Sequence, residues 1–164
     1  MRSPLSAPMP GARRTVLVGG FREGEEFKAA PKSTLESLSL TWGQFEAKGR
    51  ANASQELAKL QPRYERDAHK TIIYAALEAE RPVVACAVLS PRFLDLWKDT
   101  LGEKVLVVVP NQCAAYVFPR LGSDYQSYNP MVLRAYRESA YPVSLEVFEV
   151  SATGWRCLGA YEEP

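Results

Sequence analysis

The chain has 164 residues, 46% of them hydrophobic and 24% charged, and its acidic and basic side chains nearly cancel to a formal charge of +1. That composition excludes global disorder and makes one packed domain the default. It also denies the molecule the large positive field that steers polyanions, which argues against nucleic acid as a partner.

Residues 1–14 contain Pro4, Pro8 and Pro10 and no continuous apolar stretch, so they read as a flexible lead-in and not as a secretory leader. No apolar run approaches the ~20 residues needed to cross a bilayer, so no membrane association is expected. The remainder, 15–164, reads as a single domain with a poorly defined part (15–81) and a better-defined sheet-forming part (82–161). Thr15 to Val18 is a short strand ended by Gly19-Gly20. Ser33 and Glu36 have capping-box spacing, while Leu38, Leu40 and Trp42 alternate like a strand, and both readings fit. A short helix is predicted from Asn52 to Leu60. The longest predicted helix is Glu65–Glu80, with Ala68, Ile72, Ala75, Ala76 and Ala79 on one face.

Val83 to Leu89 is short and almost wholly apolar, the pattern of a strand buried on both faces. Ser90 and Pro91 open a helix whose face carries Phe93, Leu94, Trp97 and Leu101, and Gly102 ends it. Strands follow at 104–109 and 114–118, around a Pro110-Asn111 turn. Asn129-Pro130 starts a helix to about Ser139, and strands 142–150 and 155–161 form a hairpin through Thr153-Gly154. The class is α+β. The order from Pro82 is β-α-β-β-α-β-β, a ferredoxin-like order plus one strand, with helices expected on one face of an antiparallel or mixed sheet.

From about Arg92 to Tyr161 the chain resembles the C-terminal part of the YtpQ-like proteins, an uncharacterised bacterial family. The resemblance is carried by Phe93-Leu94-Asp95-Leu96-Trp97, by the run from Gly102 through Val109-Pro110-Asn111-Gln112, and by Tyr141-Pro142-Val143-Ser144-Leu145-Glu146-Val147-Phe148. It implies a domain of unknown function in the cytoplasm and carries over no activity. One departure is Cys113, which stands where the family's turn tends to carry an acid.

The three cysteines, Cys86, Cys113 and Cys157, are odd in number and fit no zinc spacing, so they read as reduced, mostly buried thiols of a cytoplasmic protein. With His69 the only histidine, no metal site built on two histidines can form, and no motif implies a metal or cofactor. Gly19-Gly20 reads as a turn, because Glu25-Glu26 follows where a phosphate loop needs a helix N-terminus. Asp95 with Asp99, the basic group Arg63, Arg66 and Lys70, and Glu146 read as solvated surface. Only Cys113, Asn111 and His69 are candidates for chemistry, as a thiol with a base.

The aromatic residues offer a different candidate. Tyr116 and Phe118 share a strand face, and Tyr125 and Tyr128 follow on a long loop, where binding residues tend to sit. Tyr116, Phe118, Tyr125 and Tyr128 are therefore the expected binding surface, with at least one loop tyrosine exposed. The function expected is a non-catalytic interaction or accessory module whose partner is another protein. An enzyme or small-ligand binder using Cys113 and Asn111 is the alternative, and a nucleic-acid platform the third.

Overall fold

The computed structural model describes residues 3–162. Two short antiparallel ribbons come first: β1 (Ser6–Pro8) with β2 (Val16–Val18), and β3 (Gly20–Glu23) with β4 (Glu26–Ala29). The expected lead-in is therefore corrected for residues 3–14, which are tied down; residues 1 and 2 lie outside the described set. Leu5 donates its N–H to the Ala30 carbonyl at 2.7 Å and accepts from Gly19 N–H at 2.8 Å, and both Leu5 and Met9 are buried. Proline removes a donor but leaves its carbonyl, and it fixes an extended φ, so such a segment can still be held by its acceptors and apolar side chains. Gly19 is a packing residue, since a Cβ there would lie 2.9 Å from both Leu5 and Phe45.

Of residues 33–42, Thr34–Leu38 and Trp42 are helical and 39–41 link them, so the strand reading is corrected; the expected Ser33 cap is corrected too, since its side chain makes no capping bond. α1 (Thr34–Leu38) ends at Ser39, which takes a left-handed φ of 53°. α2 (Trp42–Leu57) starts ten residues earlier than its predicted counterpart. Its start is set by a capping box: Thr41 Oγ1 accepts from Gln44 N–H, and Gln44 Oε1 accepts from Thr41 N–H.

Six strands then form one antiparallel sheet, and the α+β class stands. They are β5 (Arg63–Arg66), β6 (Ile72–Glu78), β7 (Val105–Asn111), β8 (Ala114–Pro119), β9 (Glu146–Ser151) and β10 (Gly154–Ala160), in the order β10-β9-β7-β8-β6-β5. The predicted helix 65–80 is corrected to the β5–β6 hairpin. Every residue from Ile72 to Leu77 is apolar, so the run satisfies a period of two as well as the helical one. Asp67 decides between them. Its Oδ1 accepts from the N–H of His69 (2.8 Å) and of Thr71 (3.0 Å), closing a turn in which Lys70 has φ 64°.

The predicted strand 83–89 is likewise corrected. It contains α3 (Val84–Ala87), with Val84, Ala87 and Val88 buried at helical spacing. The Gln112 carbonyl accepts from Val84 and Ala85 N–H and anchors its first turn. The helix predicted from Ser90 is a single 3-10 turn, Phe93–Leu96, but its apolar residues Phe93, Trp97 and Leu101 are buried as its pattern requires. α4 (Asn129–Arg137) and the β9–β10 hairpin lie where the sequence places them, although Asn129 Oδ1 has no partner among the described residues and does not cap.

Helices cover both faces of the sheet, correcting the expectation of one. The chain passes from β6 to β7 over β8, and from β8 to β9 over β7. Both steps go the same way across the sheet but leave from antiparallel strands, so crossovers of one hand must lie on opposite faces. Accordingly Val84, Phe93 and Trp97 pack on Leu77, Val107 and Val117, while Val132 of α4 packs on Leu106, Val108 and Phe118 behind.

Candidate functional site

The thiol and its candidate base do not meet. Cys113 lies in the β7–β8 turn, where its carbonyl accepts from Ala79 N–H beyond the end of β6. His69 lies in the turn before β6. The length of that strand separates them, roughly 20 Å at about 3.3 Å per residue. Burial also pushes the Cys113 thiol up, away from thiolate. Asn111 is a buried brace: its Nδ2 donates to the Ala135 carbonyl of α4 and its Oδ1 accepts from Cys113 N–H, both at 2.8 Å. Among the described residues no three metal-ligating side chains are grouped.

The expected aromatic surface is corrected to core. Tyr116 and Phe118 are buried, and their rings meet Tyr74 at 6.2 and 5.8 Å. Tyr125 and Tyr128 are half-buried, folding back onto Phe118 at 6.4 and 5.3 Å. Tyr161 completes the seal by donating its hydroxyl to the Tyr125 carbonyl at 2.7 Å, and burial pushes its phenol up. The loop is long because its rings must reach across the sheet face. Within the basic group, Arg63 pairs with Glu65 and Glu78, and Arg66 donates to the Lys70 carbonyl.

Glu146, expected on the solvent side, is 6% exposed. It accepts from Arg13 N–H (2.7 Å), Thr15 N–H (2.8 Å), Arg14 N–H (3.4 Å) and the Thr15 hydroxyl (2.5 Å). Burial alone would raise its pKa, but the hydroxyl and the three N–H groups outweigh it and hold the carboxyl below its ordinary value. Three successive N–H groups converging on one carboxylate form a nest, here filled by the protein's own anion.

The N-terminal segment also lines a cleft of about 830 Å³. It is lined by residues of β1, β2 and the Trp42–Arg50 part of α2, together with the 89–98 segment and the tip of the β9–β10 hairpin. Two polar ties join α2 to the 89–98 segment. Arg50 donates to Glu46 and, through Nη1, to the Leu89 carbonyl at 3.2 Å, and the hydroxyls of Ser54 and Ser90 are 2.7 Å apart. Two half-buried tryptophans line the cleft. Trp155 stacks on Phe93 at 5.9 Å, and Trp42 stacks on Phe45 at 6.5 Å. The rim charges Asp95 and Lys98 pair at 2.7 Å.

The cleft also meets an open sheet edge. Cys157 of β10 donates its N–H outward to the Pro10 carbonyl at 2.8 Å. Residues two apart on an antiparallel strand turn their main-chain groups to the same side, so Trp155 presents its N–H and C=O outward as well. No backbone carbonyl outside the strands accepts from Trp155 N–H among the described residues.

No family model, curated protein or solved structure matches the chain. Among the described residues no helix is long and apolar enough to cross a membrane. The residues missed in the sequence are Trp42, Arg50 and Trp155, contributed by segments over a hundred positions apart. The one signal was the Thr41–Gln44 capping box, which places Trp42 and Arg50 on a common helix.

Proposed function

We propose that the protein works by binding another protein, as a non-catalytic accessory module of the cytoplasm, and that the cleft is its contact surface. The observation that carries the reading is the pair of half-exposed tryptophans lining a cleft that borders β10, where Trp155 N–H has no backbone acceptor outside the strands among the described residues. Aromatic side chains give large contact area at small entropic cost, and partly exposed ones in a concave site are the usual anchors of an interface. The three cysteines are free, in keeping with a reducing compartment, but they are not mostly buried as expected: Cys86 is exposed and Cys113 and Cys157 are half-buried. The likeness to the YtpQ-like proteins belongs to the same proposal, since the stretch from Arg92 to Tyr161 supplies part of the lining of the cleft.

A photo-activatable amino acid placed at Leu94 in the cleft, and in a second protein at Gln126 on the tyrosine face, tests this in cells. A protein adduct from position 94 and none from 126 is expected. Adducts from position 126 alone, or from neither, would overturn the assignment.

A further inference from the structure

The cleft shows what kind of partner chain it fits, and the following rests on reading it as the contact surface. We infer that its occupant is an extended, proline-containing peptide segment of the partner, lying along the outer edge of β10 and hydrogen-bonded to the main chain of Trp155. The protein's own N-terminal segment supplies the template. Next to the cleft, Met9-Pro10 lies against this edge, with the Pro10 carbonyl on Cys157 N–H and the Met9 side chain buried. Proline suits the position because the contact asks only for a carbonyl and because its φ is already extended, so little entropy is lost on docking. Two residues along, Trp155 turns its N–H to the same side, no backbone carbonyl outside the strands accepts from it among the described residues, and the residue lines the cleft together with Ala7 to Pro10. Aromatic walls and an extended backbone are the combination by which proline-rich segments are recognised.

Other occupants fit less well. A helix satisfies its own backbone and would leave the Trp155 N–H and C=O unpaired. A second copy pairing edge to edge needs several free residues in a row, and Pro10 already occupies the edge at Cys157. The opposite edge, β5, is blunted by Arg63, Glu65 and Arg66 and by a bulge at Glu65/Arg66, the features that deter strand addition.

The test uses the full chain labelled with ¹⁵N-tryptophan, which reports on its three tryptophans separately, and short random peptides displayed on phage as the probe. Enriched peptides should contain proline. At saturation the Trp155 backbone amide should shift and exchange about tenfold more slowly, while that of the buried Trp97 stays unchanged. Trp155→Ala should weaken binding about tenfold or more. Trp155→Phe, which keeps a ring on Phe93, should retain most of the affinity and covers the case in which the alanine variant does not fold. Enriched helical peptides that enter the cleft without moving the Trp155 amide would overturn the inference and leave the cleft as a contact surface. Self-association through β10 would overturn it too. Peptides that bind elsewhere, or none that bind, would remove both.

Discussion

The two faces of the sheet each gather a group of aromatic side chains, yet only one leaves them usable. Behind the sheet, Tyr74, Tyr116, Phe118, Tyr125, Tyr128 and Tyr161 pack on one another, and their loop belongs to the same crossover as α4, so one continuous stretch closes over the face. In front, Trp42 and Trp155 come from separate segments: α2 leaves toward the β5–β6 hairpin, and β10 pairs with β9 at the other edge of the sheet. Neither segment is committed to covering the other's tryptophan. Aromatic density along a sequence therefore marks where a face is sealed, whereas exposed aromatics arise where independent segments fail to meet.

The sharpest way to break this contrast is at the centre of the sealed face. Phe118→Ala removes a ring that is 0% exposed and should cost about 3–5 kcal/mol in urea unfolding. Replacing Tyr125 and Tyr128 together with alanine should cost roughly 2–4 kcal/mol, because both rings are half-buried against Phe118, and should leave occupancy of the cleft unchanged. A double variant as stable as the parent would show that the loop is not a seal.

Glu146→Gln should cost about 1–3 kcal/mol and speed tryptic cleavage after Arg13 and Arg14, both exposed. Its pH dependence has a definite sign. The ordinary carboxyl value is 4.5 and the folded value lies below it, so the stabilisation is complete above about 4.5 and lost as pH falls through the folded value. The glutamine variant should lose this acid-side slope. The smallest expected effect on stability is in front: Trp42→Ala should cost about 1 kcal/mol, since the ring is half-exposed, while lowering cleft binding well beyond that loss. Equal losses of stability at Trp42 and Phe118 would erase the distinction between the faces.

Local chemistry in the sequence was enough for β8, α4 and the β9–β10 hairpin, where Asn129-Pro130 and Thr153-Gly154 punctuate segments of unambiguous period, whereas Pro110 and Asn111, expected as a turn, complete β7 and the chain turns at Gln112-Cys113. It failed at 65–80 and 83–89 because unbroken apolar runs fit helix and strand alike, and the deciding interactions were an aspartate closing a turn and a carbonyl from Gln112. The N-terminal segment misled for the opposite reason. Its prolines carry the local signature of a loose tail, but it is fixed by acceptors and donors far along the chain, which no window of neighbouring residues reveals. The cleft was illegible on the same ground, its tryptophans having nothing in common until the fold brings them to one cleft.

The hold of Glu146 on residues 13–15 spans 131–133 positions. During synthesis the donors leave the ribosome long before their acceptor exists, a wait on the order of ten seconds at bacterial or eukaryotic elongation rates. For that interval the first segment has neither its carboxylate nor the β10 edge on which Pro10 rests, and β10 has no cover until the segment returns. Closure brings residues 10–15 back to β9 and β10, so a nascent chain interrupted before β9 leaves residues 10–15 without that anchor and open to proteases.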